Sequence, residues 1–317
     1  MKLEFTKMQA LGNDFILIDN LCPCLKNLKR VSKALCDRRF GVGADQMLLL
    51  ESSKKANFKM RIFNADGSEV EMCGNGIRCL AKYIWDKKVK SQKSKVKSQI
   101  PPYPPLLKGG EGGLSIETLA GIIHLKKTGE LIKVDMGEPI LEAEKIPLKI
   151  DRGSGVRGQG SGLYSTFNSS LVTRHSSLVN NFPIKIDRNI FKITCVSMGN
   201  PHAVIVVNDV RSVPLEHYGP MIENNKIFPK RTNVEFIQIL NRNNIKMRVW
   251  ERGVGETMAC GTGASAAGVA SSLLMLTGRK VTVHLPGGKL FIEWSKKDNH
   301  VYMTGPAVKV FEGMIEI

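Results

Sequence analysis

The chain has 317 residues, of which 42% are hydrophobic, and it carries a formal net charge of +17. This length and composition can supply the cores of two domains. The seven cysteines, an odd number in a chain of this length, do not indicate a secreted disulfide framework. Since no stretch has the features of a membrane-spanning helix or of a signal-peptide core, we expect a cytoplasmic protein without a membrane partner.

Much of the positive charge lies in two segments with the composition of linkers. Residues 87–113 contain seven lysines and one glutamate, and residues 151–182 contain three arginines and one aspartate. The first segment combines a Lys-Val-Lys-Ser-Gln repeat with proline and glycine clusters, and the second is rich in Gly, Ser and Asn. Such segments bury too little apolar surface to offset the entropy of ordering. We predict two surface insertions, at about 88–113 and 153–181, with a binding tail or loop as the alternative, and we expect no nucleic-acid partner.

Outside the insertions, short runs of β-type residues dominate the chain. They cover residues 15–19, 47–50, 59–63, 116–118, 122–126, 133–136, 203–207, 234–240, 246–250, 280–284, 289–294 and 308–311. Two helices are predicted, over residues 76–87 and 263–276, each directly after a Cys-Gly-x-Gly turn. The pattern predicts an α+β fold of two pseudo-symmetric domains, each a curved mixed sheet or barrel around a central helix. The first domain is expected to comprise residues 1–135 and 306–317, with the last strand returning to complete it, and the second residues 136–305.

Two stretches of the chain read as copies of each other. Residues 59–76 are KMRIFNADGSEVEMCGNG and residues 246–263 are KMRVWERGVGETMACGTG, an offset of 187 residues (246 − 59). The same offset relates Asn13 to Asn200 and Gln46 to Asn233. A cysteine at the same place in each copy indicates two thiols facing one cleft. Such a pair can take a proton from one face of a carbon and return a proton to the other.

The two cysteines precede predicted helix N-termini. Free backbone N–H groups and the positive end of the helix dipole favour a thiolate, so we expect a lowered pKa at Cys73 and Cys260. Backbone donors at the same helix ends can bind a carboxylate and stabilise negative charge on the neighbouring carbon. A pair of buried structural cysteines is the alternative, but their repetition favours function. The candidate donors belong to Gly74, Asn75, Gly261 and Thr262.

Eight short motifs occur along the chain in the order typical of one enzyme family. They are LGNDF from Leu11, GVGADQ from Gly41, FNADG from Phe63, CGNG from Cys73, SMGNPH from Ser197, NVEF from Asn233, ERGVGE from Glu251 and ACGTGA from Ala259. The chain resembles the diaminopimelate epimerases, cofactor-independent amino-acid racemases of lysine and peptidoglycan synthesis. The resemblance covers nearly the whole chain except the two insertions.

The resemblance implies an isomerase that interconverts LL- and meso-diaminopimelate without a cofactor or a metal, and it allows a homodimer. It implies that Cys73 and Cys260 form the acid–base pair: one thiolate removes the α-hydrogen and the other thiol protonates the opposite face. His202 and Glu251 match positions that orient or polarise these thiols. The remaining cysteines, Cys22, Cys24, Cys36, Cys79 and Cys195, are interpreted as structural.

The resemblance also implies a set of substrate-binding side chains. Their amides suit a zwitterion, since an amide donates to carboxylates and accepts from ammonium groups. Arg252 can hold a distal carboxylate through two hydrogen bonds, while Glu251 can meet the distal ammonium. The amides belong to Asn13, Gln46, Asn64, Asn200 and Asn233.

Three other functions are compatible with parts of this pattern. A racemase of proline or hydroxyproline would use the same chemistry, but Glu251, Arg252 and the amides favour a substrate with a second amino-acid head. A thiol–disulfide oxidoreductase or redox sensor would use facing cysteines, although a Cys-x-x-Cys motif is missing. A nucleic-acid-binding module is the weakest interpretation, because much of the basic charge lies in the insertions.

Overall fold

The computed structural model describes residues 2–21, 25–93, 113–149 and 178–316. Most of the two predicted insertions lies outside these ranges, as do Cys22 and Cys24. The described residues form a mixed sheet with few helices, so the predicted α+β class is confirmed. The described residues include no helix that could span a membrane.

The first part of the chain builds eight strands and two helices. In order they are β1 (Lys2–Ala10), β2 (Asn13–Asp19), α1 (Leu28–Cys36), β3 (Gln46–Glu51), β4 (Phe58–Asn64), β5 (Glu69–Val70), α2 (Gly74–Lys93), β6 (Gly113–Thr118), β7 (Gly121–Thr128) and β8 (Leu131–Asp135).

The second part repeats this order and adds one strand at each end. The elements are β9 (Phe182–Ile186), β10 (Asn189–Ser197), β11 (Pro201–Val206), a 3₁₀ turn (Val210–Ser212), α3 (Leu215–Glu223), β12 (Asn233–Asn241), β13 (Asn244–Glu251), β14 (Gly255–Thr257), α4 (Gly261–Leu273), β15 (Lys280–Leu285), β16 (Gly288–Trp294), β17 (Val301–Gly305) and β18 (Val308–Glu316).

The strand pairings repeat with the sequence. In the first copy β2 runs parallel to β3, β3 antiparallel to β4, and β4 parallel to β6. In the second copy β11, β12, β13 and β15 pair in the same order and the same directions. The 187-residue offset therefore relates equivalent places in the fold as well as in the sequence.

Two strand pairs connect the ends of the two copies. β18 pairs antiparallel with β1, with Lys2 opposite Glu316, which is the return of the last strand that the sequence predicts. β17 pairs antiparallel with β8, with Tyr302 opposite Asp135. This second pair crosses the predicted boundary between residues 135 and 136, and the division into domains stays a prediction.

Each central helix is enclosed by apolar side chains. One continuous core contains Leu80 and Ile84 of α2 together with Ala267 and Ala270 of α4, all without exposed surface. The residues of α4 from Ala264 to Ser271 are buried, because small side chains let the surrounding strands approach closely. Two smaller cores lie under α1 and α3, on the face of the sheet opposite to the central helices.

The helices differ from the prediction in two ways. α2 and α4 begin at Gly74 and Gly261, two residues earlier than predicted, because each helix starts directly after its cysteine. The helices α1 and α3 were not predicted. α1 has apolar residues at helical spacing, among them Val31 and Leu35, and Asn27 as its N-cap, a signal that the prediction passed over. α3 contains Gly219 and Pro220, which oppose helix formation in isolation, and its packing against the sheet overrides this local preference.

Close packing of α4 generates a testable expectation at Gly268. A Cβ at this position would lie 2.8 Å from Ile292 Cγ2 and 3.2 Å from Ile292 Cβ, both in β16. The overpacking should outweigh the gain in helix propensity, so Gly268→Ala is expected to lower the free energy of unfolding by about 1–2 kcal/mol. Urea unfolding followed by circular dichroism measures this difference.

Gly278→Ala is the matched control for this variant. A Cβ at Gly278 would meet only Arg242 O at 3.9 Å, which is an ordinary contact. Its free energy of unfolding should stay within about 0.5 kcal/mol of the parent. A Gly268→Ala variant more stable than the parent would contradict the tight packing of α4 on β16.

Candidate active site

The two cysteines stand directly before the two central helices. Cys260 is the N-cap of α4 and has extended backbone angles (φ −119°, ψ 119°), so the helix begins at the next residue. A Cβ on Gly74 would lie 3.7 Å from Gly261 Cα, and a Cβ on Gly261 would lie 3.6 Å from Gly74 Cα. The two helix N-termini therefore meet at this pair of glycines, where neither side brings a side chain. Cys73 and Cys260, the predicted acid–base pair, flank the same junction.

A buried guanidinium lies beneath this junction. Arg78 of α2 has no exposed surface, and it donates to Gly74 O at 3.1 Å, to Asn75 Oδ1 at 2.8 Å and to Pro306 O at 3.2 Å. These acceptors are neutral, and no Asp or Glu of the described ranges forms an ion pair with it. Burial lowers the pKa of Arg78 to about 10, so its charge persists at neutral pH. Arg78 adds positive charge to two helix ends that are already positive.

The side chain of Asn75 connects the two copies of the repeat. It is 4% exposed, its Oδ1 accepts from Arg78, and its Nδ2 donates to Ala259 O at 3.1 Å. Ala259 is the residue before Cys260. Asn75 was predicted to bind substrate, but its side chain is engaged within the protein, and its backbone N–H group donates to Cys73.

Burial dominates the acidity of both thiols. Burial raises the pKa of Cys73 and raises that of Cys260 well above its usual value, and the carboxylate of Glu251 raises both further. The Gly76 N–H, 3.4 Å from Cys73 Sγ, and the Thr262 hydroxyl, 3.5 Å from Cys260 Sγ, offset part of the rise. The predicted net lowering of the thiol pKa is therefore wrong: the helix donors act in the expected direction, but loss of solvation outweighs them.

His202 forms a buried pair with Glu235, which the sequence patterns did not single out. His202 Nδ1 lies 2.7 Å from Glu235 Oε1, and neither side chain has exposed surface. His202 Nε2 lies 3.0 Å from Asn200 Oδ1, and Asn200 Nδ2 lies 3.4 Å from Thr262 Oγ1. Burial raises the pKa of Glu235, and His202 offsets part of this rise. The available signal was a carboxylate within the apolar strand run 234–240.

Asn13 is fixed beside the other cysteine. Its Nδ2 donates to Asp45 Oδ2 at 2.9 Å, and the Cys73 thiol donates to its Oδ1 at 3.7 Å. Arg38 Nη2 donates to Asp45 Oδ1 and to Asp14 Oδ1, both at 2.7 Å. Neither Asp45 nor Arg38 was predicted for the site, although Asp45 lies inside the GVGADQ motif.

The other predicted amides are bonded to groups of the protein. Gln46 Nε2 donates to Asn64 Oδ1 at 2.8 Å. Asn233 is 4% exposed; its Nδ2 donates to Pro201 O at 3.0 Å, and its Oδ1 accepts from the Arg252 backbone N–H at 2.9 Å. The Asn233 amide thus stabilises the turn at Arg252.

Glu251 is the last residue of β13, and Arg252 begins the loop that follows. Thr257 Oγ1 donates to Glu251 Oε1 at 2.6 Å, which holds this carboxylate. Arg252 Nη1 donates to Lys230 O at 3.1 Å, and the side chain is exposed. The guanidinium of Arg252 is therefore accessible to a ligand.

Equivalent ion pairs brace the two turns that carry the cysteines. Arg61 binds Glu69 through bonds of 2.7 and 2.9 Å, and Arg248 binds Glu256 through bonds of the same lengths. The arginine and the glutamate of the second pair each lie 187 residues after those of the first pair (248 − 61 and 256 − 69). Two parallel hydrogen bonds fix the orientation of each pair. The two cysteines thus follow turns of the same construction.

Solved structures with the same fold include amino-acid epimerases. A hydroxyproline epimerase from Agrobacterium vitis matches with a TM-score of 0.62 at 12% identity, covering 99% of this chain and 91% of that chain. A PhzF-family phenazine biosynthesis protein from Enterococcus faecalis matches with a TM-score of 0.62 at 14% identity, covering 100% of both chains. At these identities the likeness supports the fold alone.

Sequence relatives are much closer. The family model described as diaminopimelate epimerase matches residues 5–102 and 194–310. Proteins named diaminopimelate epimerase are 45% identical in Acetivibrio thermocellus, covering 99% of both chains, and 47% identical in Moorella thermoacetica, covering 98% of both. A third, from Methanococcus maripaludis, is 46% identical over 99% of this chain and 100% of its own length. The chain belongs to the diaminopimelate epimerase family.

Proposed function

We propose that this isomerase interconverts LL- and meso-diaminopimelate by a two-base mechanism at Cys73 and Cys260, without a cofactor. The observation that carries the proposal is the contact of two helix N-termini at Gly74 and Gly261, each directly after one of the cysteines. One thiolate takes the α-proton, which leaves its electron pair on the carbon. The other thiol gives its proton to the opposite face, and the two cysteines have then exchanged protonation states.

Stabilisation of the carbanion is assigned to the helix junction. Loss of the α-proton delocalises negative charge onto the neighbouring carboxylate. The backbone N–H groups at the start of α2 and α4 have no partner within their helices, so they can bind both oxygens of that carboxylate. Arg78 adds positive charge from below without reaching the cleft. Donors already fixed in place stabilise developing charge without a cost of reorganisation.

The second amino-acid head of diaminopimelate is assigned to the residues in which the two copies differ. Asn64 of the first copy corresponds to Glu251 of the second, and Arg252 follows it with an exposed guanidinium. A carboxylate and a guanidinium side by side match a distal ammonium and a distal carboxylate. A proline-like substrate has no such head and would leave both groups without a ligand.

We also propose that the protein forms a homodimer in the cytoplasm. The described cysteines Cys36, Cys73, Cys79, Cys195 and Cys260 are all free, which suits a reducing compartment. β18 exposes apolar side chains that water disfavours, and a second copy of the chain would cover them. They are Val308, Val310, Phe311 and Met314.

Heavy water distinguishes the two-base mechanism from a single base. In early turnover with LL-diaminopimelate and no added cofactor, deuterium should enter the α-carbon of the meso product while the remaining substrate keeps its hydrogen.

Each of Cys73→Ala and Cys260→Ala should lower kcat by about 10²- to 10⁴-fold, the usual contribution of one acid or base. Proton NMR of the reaction mixture measures both quantities.

Cys195→Ala serves as the matched control. This cysteine is fully buried in the core under α3, so the variant should keep kcat within about threefold of the parent. Full activity of the Cys73→Ala variant would contradict the two-base mechanism. Early deuterium in the unreacted LL isomer would indicate one base acting on both faces.

The raised thiol pKa values predict the pH dependence. Because the thiols are more difficult to ionise than free cysteine, the form with one thiolate is scarce at neutral pH. The value of kcat/KM should therefore rise with pH, by at most about tenfold per pH unit. Glu251→Gln removes a negative charge that raises the pKa of both thiols, so it should move this rise to lower pH.

Glu130→Gln is the control for charge removal, since Glu130 lies in the exposed turn between β7 and β8 and is not among the groups that shift the pKa of either thiol. Its kcat/KM should rise at the same pH as in the parent. A shift of the Glu251→Gln profile to higher pH would contradict the assigned role of Glu251.

A further inference from the structure

Each copy of the repeat contributes one half of the candidate active site, called a half-site from here on. The two half-sites differ in the residues that lie next to Asn13 and Asn200. Asn13 and Asn200 are related by the 187-residue offset, and so are Phe15 and His202. The strand pairing agrees, because Phe15 lies opposite Gln46 and His202 lies opposite Asn233. By the same offset, Glu235 takes the place of an apolar residue, Leu48 (235 − 48). The second copy thus has a histidine and a carboxylate where the first has a phenylalanine and a leucine.

The first asparagine presents a hydrogen-bond acceptor next to its cysteine. Asp45 as a carboxylate can only accept, so the atom of Asn13 that lies 2.9 Å from it is the amide nitrogen. Arg38 holds Asp45 in place through a 2.7 Å bond. The amide oxygen of Asn13 therefore turns towards Cys73 Sγ, at 3.7 Å.

The second asparagine has the opposite orientation. Its oxygen lies 3.0 Å from His202 Nε2, and its nitrogen lies 3.4 Å from Thr262 Oγ1, next to the second cysteine. This orientation requires a proton on His202 Nε2. With an unprotonated Nε2 the amide would turn round, because it would then have to donate to the imidazole.

Glu235 determines whether His202 Nε2 carries that proton. Its Oε1 lies 2.7 Å from His202 Nδ1, both side chains have no exposed surface, and its Oε2 has no partner among the described residues. An ionised carboxylate beside a neutral imidazole would leave a buried negative charge uncompensated, which is costly. A Glu–His pair without net charge holds two protons. One of them lies between Oε1 and Nδ1, on either atom, and the other lies on Nε2.

The helix that follows Cys260 makes room for this carboxylate. A Cβ on Gly263 would lie 2.7 Å from Glu235 Oε1 and 3.4 Å from Cys260 Sγ. In the first copy, a Cβ on Gly76 would instead meet Leu48 and Phe15, at 3.1 and 3.3 Å. The last glycine of each Cys-Gly-x-Gly turn therefore accommodates the side chains in which the two half-sites differ.

We propose that Glu235 is a positioning residue. Through His202 it turns the N–H₂ group of Asn200 towards the cleft, whereas Asn13 turns its amide oxygen towards the cleft. This inference rests on the proposed function, in which the cleft binds an amino acid. An amino-acid head carries an ammonium, which needs an acceptor, and a carboxylate, which needs a donor. With an acceptor in one half-site and a donor in the other, the substrate is held in one of the two orientations that the repeat would otherwise allow.

The proton on His202 can be observed directly by nitrogen-15 NMR of histidine-labelled protein at neutral pH. His202→Phe, which copies Phe15 of the first half-site, identifies the signal by its loss. We expect a protonated, pyrrole-type Nε2 for His202 in the parent. A pyridine-type Nε2 would overturn the proposal, because Asn200 would then present its oxygen to the cleft.

Two substitutions of Glu235 separate its positioning role from a merely structural one. Glu235→Gln keeps a donor to His202 Nδ1, so KM for LL-diaminopimelate should stay within about threefold of the parent. Glu235→Leu copies Leu48 and removes the donor, so KM should rise about ten- to a hundredfold, the usual cost of losing a hydrogen bond to a charged group. Equal rises in KM in both variants would overturn the proposal.

The failure of this inference is distinguishable from the failure of the proposed function. If the parent does not exchange the α-hydrogen of LL-diaminopimelate, the proposed function is wrong, and the NMR measurement still decides the orientation of Asn200. If Glu235→Leu does not fold, the NMR signal of the parent and the KM of Glu235→Gln remain decisive. A tenfold or larger rise in KM for Glu235→Gln alone also contradicts the inference.

Discussion

The contact between Gly74 and Gly261 is the constraint on which the centre of this protein depends. It brings together two helix N-termini, each equivalent to about half a positive charge, so the ends repel each other. Arg78 increases the excess of positive charge, and its bonds within the described chain go to neutral acceptors. An anion at the junction relieves this repulsion. The fold therefore loses stability at its centre, and an anion bound there would restore it.

The duplication shows which features the fold needs and which the chemistry needs. Both copies keep the same strand pairings, the same arginine–glutamate brace and the same glycines beside the cysteines. They differ at buried positions that an apolar residue fills equally well, as Phe15 and Leu48 show. The buried polar pair of His202 and Glu235 therefore lies where the first copy has two apolar side chains, which supports the role in orientation that we propose for it.

Local patterns predicted much of the site, because its main parts are short motifs. The repeated turn indicated both cysteines and both central helices, and alternating β-type runs indicated the mixed fold. The remaining features depend on tertiary contacts. Burial reverses the expected shift of the thiol pKa values, and it engages the side chains of Asn75 and Asn233 inside the protein. Arg78 and Glu235 became significant only when the structure showed them buried, since spacing alone does not distinguish them.

The pairing of β18 with β1 has a consequence for how the chain folds during synthesis. β1 is made near the start, yet its outer neighbour β18 is the last described strand to leave the ribosome. Until then the outer edge of β1 keeps its backbone N–H and C=O groups unpaired, and such an edge recruits strands from other chains. The second copy, by contrast, pairs β9 with β10, its immediate neighbour in sequence. Slow translation of the last part of the chain would therefore prolong the period in which nascent molecules aggregate.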